Sequence, residues 1–163
     1  MKTLRVALMA AACAGGFGAS AQSPTAFETQ ATSLASACLS APNSTPETAS
    51  AAIAPCEKLI VDIDALKQAN PSLAGHDLNV FLLVKSMGET RVAGSYGAID
   101  GVRSARVCDR TERGWTLISQ VNKAQSPTYV GTIDNLVRSS ISAISKCRQE
   151  NGTPAGAAPL PAG

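Results

Sequence analysis

The amino-acid sequence predicts an all-α fold, a small helical bundle or helical-hairpin stack of five to six helices with two disulfides. Apolar residues recur at spacings of three and four through most of the chain, which is the repeat of one helix face. No segment alternates apolar and polar residues with the period of two that a half-buried strand requires. An even number of cysteines in an exported chain indicates two disulfides. The four that follow the N-terminal segment are Cys38, Cys56, Cys108 and Cys147.

Residues 1–21 are predicted to be a secretory signal peptide. Lys2 and Arg5 give a positive start, a short apolar run follows, and the sequence ASA at 19–21 is a cleavage site. The apolar run is too short to span a bilayer, and no later stretch reaches the length that a membrane helix needs. The short, Ala-rich segment is typical of bacteria, so we expect a periplasmic or secreted protein.

Cys13 offers an alternative to simple cleavage. The three alanines before it resemble a bacterial lipobox, and lipidation of this cysteine would anchor the chain to a membrane. The bulky aliphatic residue that usually stands three places before such a cysteine is replaced by Ala10. Cleavage after residue 21 is therefore preferred, with lipidation at Cys13 left open.

The charge of the cleaved chain argues against polyanionic partners. Cleavage removes two of the 14 basic residues and none of the 12 acidic residues, so the mature chain is formally neutral. Binding to nucleic acid or to an anionic membrane surface depends on clustered Lys and Arg. We therefore expect no nucleic-acid partner.

Two helices are predicted in the first third of the mature chain. Helix 1 spans about 25–39, where four residues share one face: Phe27, Ala31, Leu34 and Cys38. Thr45-Pro46-Glu47 marks the start of a second helix, which runs to about Asn70, before Pro71. Pro55 lies inside that span, so it should kink the helix or make 47–54 a separate short turn.

The segment CEKLIVDIDAL, residues 56 to 66, concentrates three carboxylates around a cysteine. On a helical wheel Cys56 lies among the apolar residues, whereas Asp62 points away from them, one turn from Lys58. Glu57 and Asp64 flank the apolar face and lie about 10.5 Å apart along the axis. We expect a solvated helix edge with weak local ion pairs rather than a pair of catalytic carboxylates.

Glycines complicate the middle of the chain. A third helix should start near Asp77, and a break is expected between about 88 and 95, because each glycine costs a helix roughly 0.5–1 kcal/mol. The glycines in question are Gly88, Gly94, Gly97 and Gly101. A separate helix after the break should carry Tyr96, Ile99, Val102 and Cys108. One long helix over 77–110 is the alternative. A short helix of about 112–124 and a last helix capped by Ser126-Pro127 complete the chain.

The mature chain is thus predicted to be a single α-helical domain over 22–149. Residues 150–163 are rich in Pro, Ala and Gly and should form a disordered tail. Of the three possible disulfide pairings, the helix order favours Cys38–Cys56 with Cys108–Cys147. The weak point is Cys56, which lies deep in the second helix if that helix begins at Pro46.

No catalytic or cofactor motif emerges from the sequence. The glycine-rich segment 88–97 has neither of the phosphate-loop spacings, and no C-x-x-C or suitably spaced histidine indicates a metal site. His76, the only histidine, lies beside Asp77 and near Ser72, but neighbours in sequence do not make a catalytic triad. We therefore expect no enzyme activity, no cofactor and no metal.

The remaining candidate is a surface for a protein partner in the cell envelope. A basic ridge beside the only tryptophan supplies it: Arg103, Arg106, Arg110, Arg113 and Trp115. Interleaved acids also fit a solvated helix face, and the tryptophan also fits a core anchor. The leading expectation is a non-catalytic protein-binding module, and the alternative is a carrier of a small apolar ligand. A binding module should expose an apolar or Arg/Trp patch, whereas a carrier should enclose an apolar pocket of roughly 300 Å³ or more.

Overall fold

A computed structural model describes residues 23–102 and 104–161 of the chain, and within them it contains helices and no strand. The α-helices are α1 Ala26–Ser40, α2 Pro46–Ala69, α3 Gly75–Asp100, α4 Ala105–Ile118 and α5 Val130–Asn151. Two 3-10 turns, Lys123–Gln125 and Pro127–Tyr129, connect α4 to α5. The all-α prediction is confirmed. The predicted signal peptide, with Cys13, and Arg103 lie outside the described residues.

Local sequence signals set the starts of α1 and α2. The Thr25 side chain accepts a hydrogen bond from the backbone N–H of Glu28, and Thr45 and Thr48 form a reciprocal capping box. Helix α2 then runs through Pro55 without interruption, so the separate turn over 47–54 does not form. Pro55 deprives the Ala51 carbonyl of its helical donor, but Ala51 is exposed and water can take that place.

Helix α3 continues through three of the four glycines, so the expected break between 88 and 95 was wrong. At Gly88 a Cβ would lie 3.0 Å from Ile60 Cγ1, which shows that α2 packs closely against this glycine. That packing compensates for the low helix propensity of glycine. The helix ends where Gly101 adopts a φ of +88°, so a single helix over 77–110 was also wrong. Helix α4 consequently starts and ends several residues before the predicted span of 112–124.

Two disulfides staple the bundle in the pairing that the sequence favoured. Cys38–Cys56 joins α1 to α2 with a Cα–Cα distance of 4.5 Å, and Cys108–Cys147 joins α4 to α5 at 5.5 Å. Helix α2 does begin at Pro46, yet Cys56 still meets Cys38. The connection 41–45 can extend up to roughly 16 Å, and ten residues of helix rise about 15 Å. The start of α2 therefore lies beyond the end of α1, and the returning helix brings Cys56 level with Cys38.

Helix α3 is the centre of the bundle, because it packs against α1, α2 and α4, whereas α5 packs mainly against α4. One apolar cluster lies among α1, α2 and α3 and includes Phe27, Leu59 and Ile63. A second lies between α3, α4 and α5 and includes Trp115 and Ile144. The core is therefore two adjoining layers of aliphatic side chains on either side of α3.

The segment after α5, which its composition predicts to be a disordered tail, contacts the bundle in this structure. Residues 152–161 form no helix, but they lie back against the second apolar cluster. The carbonyl oxygen of Ala158 accepts hydrogen bonds from Trp115 and Arg148, and Leu160 packs against the cluster. Composition describes this segment as a poor helix former, but it does not reveal donors that other helices supply.

Candidate partner-binding surfaces

The exposed arginines of the predicted basic ridge are engaged in ion pairs. Arg106 donates to Asp100 at 2.5 Å, and its guanidinium lies 4.3 Å from the centre of the Tyr96 ring. Arg113 pairs with Asp109 at 2.9 Å, one turn away on the same helix. Both pairs lie on the surface, where such contacts contribute little to stability. They form a solvated face with balanced charge rather than a basic patch.

Arg110 lies inside the bundle and ties three helices together. Its guanidinium, on α4, donates to Glu89 of α3 at 2.8 Å and to Glu57 of α2. Burial opposes the charge of Arg110, but the hydrogen bonds and charges of Glu89 and Glu57 outweigh it and raise the pKa of the guanidinium. Arg110 is therefore a structural residue, and Glu57 belongs to an interhelical network rather than to a solvated edge.

Of the other two carboxylates of the CEKLIVDIDAL segment, one makes a local contact within α2 and the other makes a contact between helices. Asp62 accepts from Lys58 at 2.6 Å, the local pair that the helical wheel predicts. Asp64 accepts from Lys85 of α3 at 2.7 Å, a contact between residues 21 positions apart. Each of these carboxylates has a lysine partner, which fits the interpretation of this segment as an ordinary helix, although the Asp64 pair is interhelical and not local as expected.

Trp115 occupies the core-anchor role and not an exposed interface. Its side chain is 3% exposed and packs in the second apolar cluster. The chosen residues that the structure describes therefore do not assemble into one surface. Two of them, Arg106 and Arg113, face solvent, whereas Arg110 and Trp115 are enclosed.

His76 lies in a polar network that sequence reasoning did not anticipate. Its Nε2 is 3.1 Å from Glu28 Oε2, its Nδ1 is 3.1 Å from Ser126 Oγ, and its ring stacks on that of Tyr129. The Tyr129 hydroxyl donates to the other oxygen of Glu28 at 2.5 Å. An acid, a histidine and a hydroxyl are thus in hydrogen-bond reach, although the residues are scattered over about 100 positions of the chain.

The ionisation of this network favours a charged carboxylate and a neutral phenol. Burial raises the pKa of Glu28, but hydrogen bonds from Tyr129 and His76 outweigh it, so the pKa lies below the ordinary value of 4.5. Burial and the neighbouring Glu28 carboxylate raise the pKa of Tyr129 to about 12. The phenol is therefore a hydrogen-bond donor throughout the physiological range.

Access decides against a nucleophilic role for Ser126. Its side chain is 1% exposed, so a substrate carbonyl cannot approach Oγ in this structure. The same oxygen lies 3.2 Å from Asn79 Nδ2. The Asn79 side chain also donates to the backbone carbonyl of Asn122 and accepts from the backbone N–H of the same residue. The network therefore fastens the start of α1, the start of α3 and the connection before α5.

The surface best suited to a partner is an open groove of about 490 Å³ between α3, α4 and α5. We call it the α3–α5 groove, because α3 and α5 form its walls and barely touch each other. Small and apolar residues line it, among them Ala93, Gly97, Val107, Thr111, Ser139 and Ala143. The small side chains leave room where two helices of ordinary composition would meet.

The rim of the groove is accessible and carries one cation. Val102, between α3 and α4, is 70% exposed, and Ser139 and Lys146 of α5 are exposed as well. An open, mainly apolar trough with an ammonium group at its edge can accept a helix, an extended segment or an apolar ligand. Sequence reasoning missed it, although small residues recur at helical spacing on both walls.

Among residues 23–102 and 104–161, no group of three potential ligands can hold a metal ion, and no helix has the length and apolar character needed to cross a membrane. No protein-family model, curated protein or solved structure matches the chain.

Proposed function

We propose that this protein is an exported, non-catalytic protein-binding module of the cell envelope and that its partner binds in the α3–α5 groove. The observation that carries the proposal is the groove itself, an open apolar trough beside an exposed valine at position 102. Apolar surface that stays exposed on a folded chain is costly in water and commonly marks an interaction site.

The shape and lining of the groove favour a protein segment as the occupant. Helix-in-groove recognition needs a trough with apolar walls and no charged floor, and Val107 and Thr111 of α4 supply such a floor. Small residues on both walls, such as Gly97 and Ala143, allow a partner backbone to approach closely. Lys146 at the rim suits a partner with an acidic residue beside its apolar face.

Export of the chain is supported by its cysteines and its N-terminal sequence. All four cysteines of the mature chain are paired, and such pairs persist in oxidising compartments such as the periplasm or the extracellular space. The basic start, short apolar run and ASA site of residues 1–21 point the same way. We therefore place the protein in the periplasm or among secreted proteins.

Site-specific photocrosslinking in the native envelope fraction tests the groove. A photoreactive amino acid replaces Ala143, inside the groove, or Val61, an exposed residue of α2 outside it. We expect a discrete protein adduct from position 143 and none from position 61. Combining the position-143 probe with Ser139→Phe should abolish the adduct, because the added ring fills the groove.

Thr132→Phe is the matched control, since Thr132 is another exposed hydroxyl residue of α5 that does not line the groove. This variant should retain the adduct. The proposal fails if positions 143 and 61 give the same adducts, or if Ser139→Phe leaves the position-143 adduct intact.

A carrier of a small apolar ligand is the second candidate, favoured by the groove volume. About 490 Å³ lies within the range of small-molecule sites, roughly 300–1,000 Å³. The open side of the groove argues for a protein, because carriers usually enclose most of the ligand surface. Native mass spectrometry separates the two: a carrier purified from cells retains a small molecule that Ser139→Phe removes, whereas a binding module shows only the polypeptide mass.

A further inference from the structure

The C-terminal tail is held at a second site, built from α4 and α5. The Trp115 Nε1–H donates to the carbonyl oxygen of Ala158 at 3.2 Å, and Arg148 Nη2 donates to the same oxygen at 2.8 Å. Leu160 packs against the second apolar cluster, which includes Trp115. The tail is therefore anchored by one carbonyl and one leucine side chain.

Both donors are also held by contacts that do not involve the tail. Arg148 is clamped by Glu112 through two hydrogen bonds, at 2.7 and 2.8 Å, which hold the guanidinium plane and leave Nη2 able to reach a carbonyl. Trp115 is held by the core that surrounds it. Because Arg148 and Glu112 neutralise each other, the site favours an uncharged backbone group rather than an anion.

The anchoring segment is predisposed to an extended conformation. Ala158 and Leu160 each precede a proline, and a residue before proline is restricted to extended or polyproline conformations. A pre-extended segment loses little conformational entropy on binding, which is why aromatic-lined sites recognise proline-rich peptides. The sequence APLP therefore suits a tryptophan N–H and an apolar surface.

The connection between α5 and this anchor turns at two glycines. Gly152 and Gly156 have φ values of +77° and +74°, conformations that glycine adopts easily. Residues 154–157 of the tail stand away from α4 and, with Asp109 and Arg113, line a cavity of about 600 Å³. No disulfide fixes the tail beyond Cys147, so it can leave its anchor without unfolding a helix.

We infer that the Trp115–Arg148 site is a binding site for an extended, uncharged Ala-Pro-Leu-Pro segment, and that the chain's own tail occupies it in competition with such a segment of a partner protein. The site binds a backbone carbonyl and a leucine side chain, and a separate peptide offers the same two groups. The site is distinct from the α3–α5 groove, because Trp115, Glu112 and Arg148 do not line that groove. Its test is therefore independent of the groove's.

The only tryptophan of the chain gives a direct probe of the site. The experiment uses the mature chain with ¹⁵N-labelled tryptophan, in which a single indole N–H resonance reports on Trp115. Leu160→Asp removes the leucine anchor, and Thr153→Asp places the same charge at an exposed position of the tail. The added probe is the peptide AAPLPAG, the sequence of residues 157–163.

We expect the indole N–H of the unmodified chain and of Thr153→Asp to exchange slowly with solvent. In Leu160→Asp the resonance should move and exchange at least tenfold faster, and the added peptide should restore it in a saturable titration. The tail competes at an effective concentration on the order of millimolar. The peptide should therefore act on Leu160→Asp at a concentration at least tenfold lower than on Thr153→Asp.

Three results would overturn the inference. The first is an indole N–H that already exchanges freely in the unmodified chain, a measurement that does not depend on any variant folding. The second is a Leu160→Asp resonance identical to that of the unmodified chain. The third is a peptide titration without saturation, or one in which a peptide with aspartate in place of leucine works equally well. Far-UV circular dichroism establishes that Leu160→Asp keeps its helices.

Discussion

At the scale of single residues, the contribution of an arginine to stability depends on how deeply it and its acidic partner are buried. Arg110 and Arg113 both lie on α4 within one turn, and their sequence surroundings look alike. The side chain of Arg110 is 17% exposed and meets Glu89, which is 4% exposed, whereas Arg113 and its partner Asp109 are both more than half exposed. The free-energy cost of losing each arginine should therefore differ.

Arg110→Met should lower the free energy of unfolding by about 3 kcal/mol, because it leaves the buried Glu89 carboxylate without its partner. Arg113→Met should change it by less than about 0.5 kcal/mol, as expected for an exposed pair. Urea unfolding followed by circular dichroism measures both. Equal effects of the two variants would contradict the assignment of Arg110 as an interhelical tie.

The Glu28 carboxylate makes stability depend on pH in the acid range. Its pKa in the folded chain is below the ordinary value of 4.5, so its contribution is complete above about pH 4.5 and is lost as the pH falls through the folded-state pKa. Glu28→Gln keeps hydrogen-bonding capacity but cannot titrate. The free energy of unfolding of the unmodified chain should fall more steeply below pH 4.5 than that of Glu28→Gln; parallel pH profiles would refute this.

Residue contacts were predictable from sequence only where they are local. The Lys58–Asp62 pair follows from helical spacing. Arg110 and Glu57 are 53 positions apart, and His76 and Glu28 are 48 apart. Such pairs depend on how the helices pack, and the sequence pattern of a single helix does not reveal that packing. The same reason explains why Trp115 could be recognised as a possible anchor but not as the donor to Ala158.

At the scale of helices, glycine has different consequences at different positions of α3. Gly88 lies against α2, where an added Cβ would be 3.0 Å from Ile60 Cγ1. Gly94 is exposed, and its added Cβ would meet only Asn43 Nδ2, at the ordinary contact distance of 3.6 Å. The close approach of α2 therefore requires glycine at position 88 but not at 94.

Gly94→Ala should raise the free energy of unfolding by about 0.5–1 kcal/mol, since alanine restricts the unfolded chain and favours the helix. Gly88→Ala should lower it by about 1 kcal/mol or more, because the added methyl overpacks the α2–α3 contact. Thermal unfolding of the two variants beside the unmodified chain gives the comparison. A stabilising Gly88→Ala would contradict this, because it would show that Ile60 can shift to accommodate the added methyl.

Helix number and most helix starts were predictable, whereas the helix ends in the middle of the chain were not. Thr45 and Pro46 are cap and first-turn residues whose preference is intrinsic, so α2 begins where the sequence indicates. Helix α1 begins at Ala26, close to the predicted residue 25, with Thr25 as its cap. The end of α3 depends on which glycine takes a positive φ. Packing against α2 keeps Gly88 in the helix. Of the four glycines between residues 88 and 101, Gly101 alone adopts a positive φ and ends the helix.

At the scale of the whole molecule, two disulfides close loops of different length. Cys38–Cys56 spans 18 positions and Cys108–Cys147 spans 39. Loop-closure entropy predicts that removing the first pair costs about 3 kcal/mol and removing the second about 4 kcal/mol. Double Cys→Ala variants of each pair, compared by urea unfolding, test this order. A larger loss from the Cys38–Cys56 pair would indicate that packing, not loop length, dominates.

The pairing itself could be favoured from sequence because it follows from the order of the helices. Cys38, at the end of α1, and Cys56, within α2, are neighbours because the connection between those helices is short. Cys108 lies near the start of α4 and Cys147 near the end of α5, so this pair forms because α5 returns alongside α4. The α3–α5 groove could not be foreseen in this way. It arises because α4 holds α3 and α5 apart, a relation among three helices that no single helix pattern contains.

We propose that the protein is an exported bundle held by two disulfides, and the intact mass of the protein from its native envelope fraction tests this proposal most directly. Each disulfide removes two hydrogens, so we predict a chain that begins at Gln22 and is four hydrogens lighter than its reduced form. Alkylation should label no cysteine before reduction and four afterwards. A mass that retains residues 1–21, a lipid on Cys13, or four freely alkylated thiols would contradict it.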